Sequence, residues 1–516
     1  MKSIRFFCCF FILLVCLFGS NVVRAHGFGQ RYDLPVPLSL WVLGAGITIV
    51  LSFILIAMFA TTTFEQFHYS RINLLKSKFF RILIAPFVLF LIRLIGVIIL
   101  VTAIIAGYWG DTNPYNNVTP VLVWVIWWVG VVYVSVLVGD LWSLINPFRT
   151  LFLWAEVLLE QGFGLSNLSR NFPYPKSWQM WPAVIGLIGF FWAELLWTDG
   201  SDPRNLARII TIYGCTTWLG MFLYGRETWL HNADPFSLVF RIFSGFSPME
   251  IRVRLIGSQN KCQIYSCPQN SKDCVNGYSC VRYAKTDQVE WNLRPPGLGL
   301  LQSTSVPLSL MVFVLILLAS VTFDGFLETP LWLSILDRSI AEEIFFIGNF
   351  ALLLVPMLFF LIYIVFCWLM MRIVLASRSK MDSDGIVNTL DIACSFILTL
   401  VPIAIAYHLA HYLSFLLITG QYLIPLISDP LGLGWNIFGT SGYRPNIGVI
   451  DARISWYIAV GAVVSGHVVS VYIAHKTALG IFRNVRTALY SQIPMIVLMV
   501  LYTMLSLWIL AQPMVE

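Results

Sequence analysis

Apolar runs long enough to cross a bilayer recur along this chain, and nothing else in it constrains the fold as strongly. After an N-terminal segment treated below, ten can be read, at approximately 38–61, 82–108, 119–139, 180–197, 206–225, 305–323, 344–372, 392–418, 454–475 and 491–511. About 20 apolar residues of helix cover the ~30 Å hydrocarbon core. Inside lipid the backbone must satisfy its own hydrogen bonds, so such runs fold as helices. The expected fold is all-α, a polytopic transmembrane helical bundle of about ten spans. The chain is 58% hydrophobic and 11% charged, too little charge to cover a soluble globule of 516 residues. Its net charge of +6 is not read as nucleic-acid binding. The expected partner is the lipid bilayer, where lysine and arginine collect in the loops of one side.

The first 25 residues have the three regions of a cleavable signal peptide. Lys2 and Arg5 are basic, "FFCCFFILLVCLF" is apolar, and "VVRA" ends on Ala25. Cleavage there leaves His26 at the N-terminus. Basic residues then fall on one side: Arg71, Lys76, Lys78 and Arg81 after the first span, Arg378 and Lys380 after the seventh, and Lys476, Arg483 and Arg486 after the ninth. The opposite loops are "GDTNPYNN" and the stretch from Asp324 to Glu343, which has five acids and one arginine. That alternation places both termini of the mature chain in the periplasm of a bacterial inner membrane. The expected organisation is a signal (1–25), an N-terminal five-helix half (26–225), a cytoplasmic cysteine-containing loop with a surface helix (226–304) and a C-terminal five-helix half (305–516). Residues 141–159 read as a further interfacial helix. Five plus five spans place the halves in opposite orientation, and Pro86 and Pro356 occupy corresponding spans, an arrangement that transporters use.

The strongest local signal is "AYHLAHYLSF" in the eighth span. His408 and His411 stand three residues apart, on one helical face. Ionisable groups inside a span are costly and usually meet a partner, a cavity or a metal. His467 in the ninth span is a further candidate, and His475 lies at that span's inner boundary. His26, once N-terminal, would offer a metal both its α-amine and its imidazole. Nitrogen ligands of this kind favour copper over zinc. The expected metal set is His26, His408, His411 and His467, with Asp324 and Glu194 as orienting groups or base. Arg93, mid-span, requires a polar partner.

Cys262, Cys267, Cys274 and Cys280 crowd into nineteen residues without a C-x2-C pair. In a cytoplasmic loop they suit a second metal or an iron–sulfur site; in a periplasmic one, two disulfides. His408 and His467 could also ligate one haem between two helices.

In "HGFGQRYDLPVPL", "AYHLAHYLSF", "NPFRTL", "SVTFDGF", "SDPLGLGW" and the closing "MLSLWILAQP" the chain resembles a bacterial family of multi-span membrane proteins labelled fenitrothion hydrolase. The resemblance runs over essentially the whole mature chain. It implies hydrolysis of an apolar organophosphate triester, for which a metal-bound hydroxide is a suitable nucleophile. The layout by itself leaves open a transporter of a metal ion or small solute.

Overall fold

The computed structural model describes residues 36–59, 69–164, 168–254, 273–276, 281, 288–301, 306–339, 341–377, 388–482 and 484–512. Nine helices among them are long and apolar enough to cross a membrane. In chain order with the shorter helices used below, they are α1 (Leu38–Phe59), α2 (Pro86–Trp109), α3 (Val118–Val138), α4 (Pro147–Phe163), α5 (Trp181–Leu195), α6 (Pro203–Tyr224), α7 (Pro235–Ser244), α8 (Leu308–Leu327), α9 (Ala341–Ser377), α10 (Thr389–Ser428), α11 (Ala452–Ile481) and α12 (Val485–Leu510). The bundle is all-α apart from a small sheet. The tenth expected span, 180–197, is the 15-residue α5, roughly 22 Å long and shorter than a bilayer core.

Local chemistry sets the helix starts. Asp202, Asp234, Asn388 and Asp451 each accept the backbone N–H three residues on, at 2.6–3.0 Å. Proline stands at the first turn of α2, α4, α6 and α7, where its missing N–H costs nothing.

Burial sorts the helices into layers. In α8, 89% of the apolar window is buried, whereas in α1, α2 and α9 the share is 17%. So α8 is the axis of the bundle and the other three present their apolar faces to lipid. α10 and α11 meet closely at Gly466, where a Cβ would lie 2.4 Å from the Ala406 Cβ and 2.8 Å from the Pro402 carbonyl. One hydrophobic cluster runs through both expected halves, from Ile49 to Met499.

Two spans depart from α-geometry. Residues Val121–Gly130 of α3 are wound as a π-helix. In α10 a 3₁₀ stretch, Ile397–Leu400, precedes Pro402. Wide π-turns often accompany functional sites, and a tight 3₁₀ stretch within a helix often marks a hinge.

The 226–304 segment departs from expectation. Its helix α7 was expected at the surface; it lies inside the bundle, with Leu238, Val239 and Phe240 fully buried and Phe236 4.5 Å from the Trp127 ring. Only Ser237 and Arg241 of this helix are even partly exposed, and Arg241 bonds the ring and the carbonyl of His231. The same segment supplies most of an antiparallel sheet with the order β1 (Ile72–Asn73), β4 (Val289–Leu293), β2 (Met249–Arg254) and β3 (Asp273–Val275). Glu250 of β2 is buried and paired with Arg252 and Arg294. The helix expected over 141–159 forms as residues 142–145 and α4, divided at Asn146. Arg149 there binds Glu227, which Arg226 also holds.

The sheet joins the connection after α1 to the 226–304 segment at one end of the bundle. At the other end, the Asp111 N–H donates to Leu431 O and the Val118 N–H to Pro430 O. The first site residues lie near this second end.

Candidate functional site

Three helices converge on a buried polar cluster. Asp324 is near the end of α8, His408, His411 and Tyr412 are on α10, and Glu194 is near the end of α5. Asp324 is the hub. His411 Nε2 lies 2.8 Å from its Oδ2, and the Tyr412 hydroxyl donates to the same oxygen at 2.6 Å. An ionised Asp324 only accepts, and in that state the His411 Nε2–H is the donor. The Tyr412 hydroxyl also reaches Glu194 Oε1 at 3.4 Å. The second Glu194 oxygen is buried without a hydrogen-bond partner. Glu328, one residue beyond α8, faces His411 and Asp324; burial raises its carboxyl above the ordinary range, which His411 partly offsets and Asp324 reinforces.

Helical spacing explains the convergence. His408, His411 and Tyr412 lie at i, i+3 and i+4, one stripe facing α8 and α5. Gly325 leaves room beside them. A Cβ there would stand 3.5 Å from the Tyr407 hydroxyl, 3.8 Å from His411 Nδ1 and 2.8 Å from Ile509 Cγ2. His411 Nδ1 makes no hydrogen bond among the described residues. Its imidazole is therefore fixed at one nitrogen and open at the other.

His408 occupies a different setting. It is 2% exposed, neither nitrogen has a hydrogen-bond partner, and it sits among Trp128, Tyr133, Phe243 and Tyr412, with centroids 4.7–6.3 Å away. Trp128 comes from the π-wound part of α3. His467 is fully buried on α11; its Nδ1 bonds the Val463 carbonyl at 2.8 Å and its Nε2 has no partner. Its ring packs 6.1 Å from Tyr502.

The structure thus joins Asp324, Glu194 and His411 and leaves His408 and His467 outside their hydrogen bonds. Among the described residues no three His, Cys, Asp or Glu side chains converge closely enough to hold a metal ion. The signal segment, His26, Cys262, Cys267 and Cys280 lie outside the described residues. Cys274 pairs its backbone with Val253 in the sheet, and its side chain lies outside them too. Arg93 donates to the Leu144 carbonyl at 2.9 Å. Sequence reasoning missed Tyr412, although it directly follows His411, because tyrosine is an ordinary residue of membrane helices.

These features define a class: a multi-pass helical membrane protein with an imidazole–carboxylate–phenol cluster buried near one end. No family model matches the chain, and no curated protein or solved structure is similar to it at a significant level.

Proposed function

We propose that the protein is a proton-coupled transporter of a small solute in a bacterial inner membrane, with both termini and the 429–451 loop in the periplasm. The observation that carries this reading is the sharing of one Asp324 oxygen by His411 and Tyr412, with Tyr412 leading on to Glu194. Asp324 bonds the His411 imidazole, Glu328 stands near both, and Glu194 lies one hydroxyl away, all in a medium of low dielectric. Like charges so placed call for a proton or another cation to join them. Chains of acids and histidines in this setting serve as proton relays. The irregular winding of α3, which carries Trp128 against His408, and of α10 about two turns before His408 fits the interrupted helices of transporters.

The test is proton movement into proteoliposomes that enclose a pH-sensitive dye, driven by an imposed pH gradient. Wild type acidifies the lumen, and Asp324→Asn slows this by about tenfold or more, one proton-carrying group being lost. Absence of any wild-type flux above empty vesicles overturns the reading.

A second reading, hydrolysis of an apolar phosphotriester, draws on the family resemblance and on one observation. Asp324 holds His411 by Nε2 and leaves Nδ1 open, as an orienting carboxylate holds a base or a metal-ligating imidazole. A copper or zinc centre would need a ligand such as His26 from outside the described residues, so no step is derived through a metal. Release of nitrophenol from a nitrophenyl phosphotriester, lost in His411→Ala, favours this reading over transport.

A further inference from the structure

Polar groups that the outer cluster does not use continue in single file toward the opposite end of the bundle. His411 lies about 33 Å along α10 from that end, and Tyr407, one turn below it, about 27 Å. The two face the same spot beside Gly325. The Tyr407 hydroxyl is buried and has no hydrogen-bond partner. Its ring packs 6.3 Å from Tyr502 on α12, whose hydroxyl is 2.7 Å from Thr322 Oγ1 on α8. Tyr502 in turn packs against His467, about 21 Å from the same end of α11, whose Nε2 is also buried without a partner. Eight residues on, about 12 Å nearer that end, His475 Nδ1 meets Gln492 Nε2 at 3.3 Å.

Burying a hydroxyl or an imidazole nitrogen without a hydrogen bond costs about 1–3 kcal/mol each. Two such groups, on neighbouring helices around one tyrosine–threonine pair, have no role in packing that phenylalanine or leucine would not fill. Resting on the proton-coupled reading above, we propose that Tyr407, Tyr502 and His467 form the proton path leading inward from the Asp324–His411 cluster, with water bridging the longer gaps. In each transfer a proton passes from donor to acceptor oxygen or nitrogen while the acceptor's own proton moves on, so no oxidant or co-reactant is consumed. The path uses α8, α10, α11 and α12 and leaves His408, in its aromatic box, to one side.

The same proteoliposome measurement tests it. Tyr407→Phe removes one oxygen and keeps the ring; His467→Gln keeps a polar side chain of similar length; Gly325→Ala places a methyl between the Tyr407 hydroxyl and His411 Nδ1. Melting temperature in detergent certifies that each variant folds, and if one does not, Tyr407→Phe alone decides. The expected result is a proton flux about tenfold or more below wild type in Tyr407→Phe and His467→Gln, as for loss of a positioned transfer group. Wild-type flux in a folded Tyr407→Phe overturns the path while leaving the Asp324 site standing. No flux in wild type overturns both.

Discussion

Asp324 concentrates the chemistry of the molecule on one oxygen, and its neighbours respond differently to substitution. Tyr412→Phe cuts the link between Asp324 and Glu194 without opening a cavity. Its expected effect is a several-fold loss of proton flux with a change in stability of about 1 kcal/mol, the net worth of one hydrogen bond. Glu194→Gln replaces a partly unpartnered carboxyl by an amide of the same shape, so it should leave the melting temperature within a few degrees of wild type while reducing flux. A melting temperature that collapses in Glu194→Gln would show that the carboxylate is a structural anchor instead. Asp324, Glu194 and His411 were legible in the sequence because ionisable residues are rare inside apolar runs. Their link through Tyr412 was not, since it depends on the packing of α5, α8 and α10. Nor did spacing reveal that His408 and His411, on one stripe, would meet such different surroundings.

The elements carry their own tests. Gly466 sets the approach of α11 to α10, and a leucine there would collide with Ala406 and the Pro402 carbonyl. Gly466→Leu should lower stability by about 1–3 kcal/mol, seen as a lower melting temperature in detergent. Around α4, burial pushes the Glu227 carboxyl up, but Arg149 and Arg226 outweigh burial and hold it below its ordinary value. A carboxyl depressed in the folded state stabilises it above the unfolded pKa, and the contribution is lost as pH falls through the folded one. Wild-type melting temperature should therefore drop as the pH is lowered below about 4.5, and Glu227→Gln should be less stable at neutral pH and flatter over that acid range. The long spans were legible from hydropathy alone. The helix α7 was not, because its length and apolarity suit a buried helix and a membrane-surface one equally. The short strands were missed since two to six residues give too little alternation to register.

At the scale of the whole molecule, the alternation of spans and the contacts agree. The connections 110–117 and 429–432 touch at one end, and the strand at 72–73 pairs with 289–293 at the other. The proposed orientation predicts that a cysteine introduced at Ser441 reacts with a membrane-impermeant thiol reagent in intact cells, whereas one at Lys78 reacts only after lysis. The reverse pattern would invert the protein in its membrane. The count of spans was legible except at α5, where a run that hydropathy extends to 197 becomes helical only over fifteen residues. One feature of the bundle bears on how it could change shape. Ten residues of α3, Val121 to Gly130, are coiled more loosely than the turns on either side. Such a coil carries slack: if it tightened to ordinary winding, the residues beyond it would rotate about the helix axis. Trp128, a wall of the His408 chamber, rides on that stretch, so a twist of one strand of the scaffold would open or shut the chamber without any helix leaving its place.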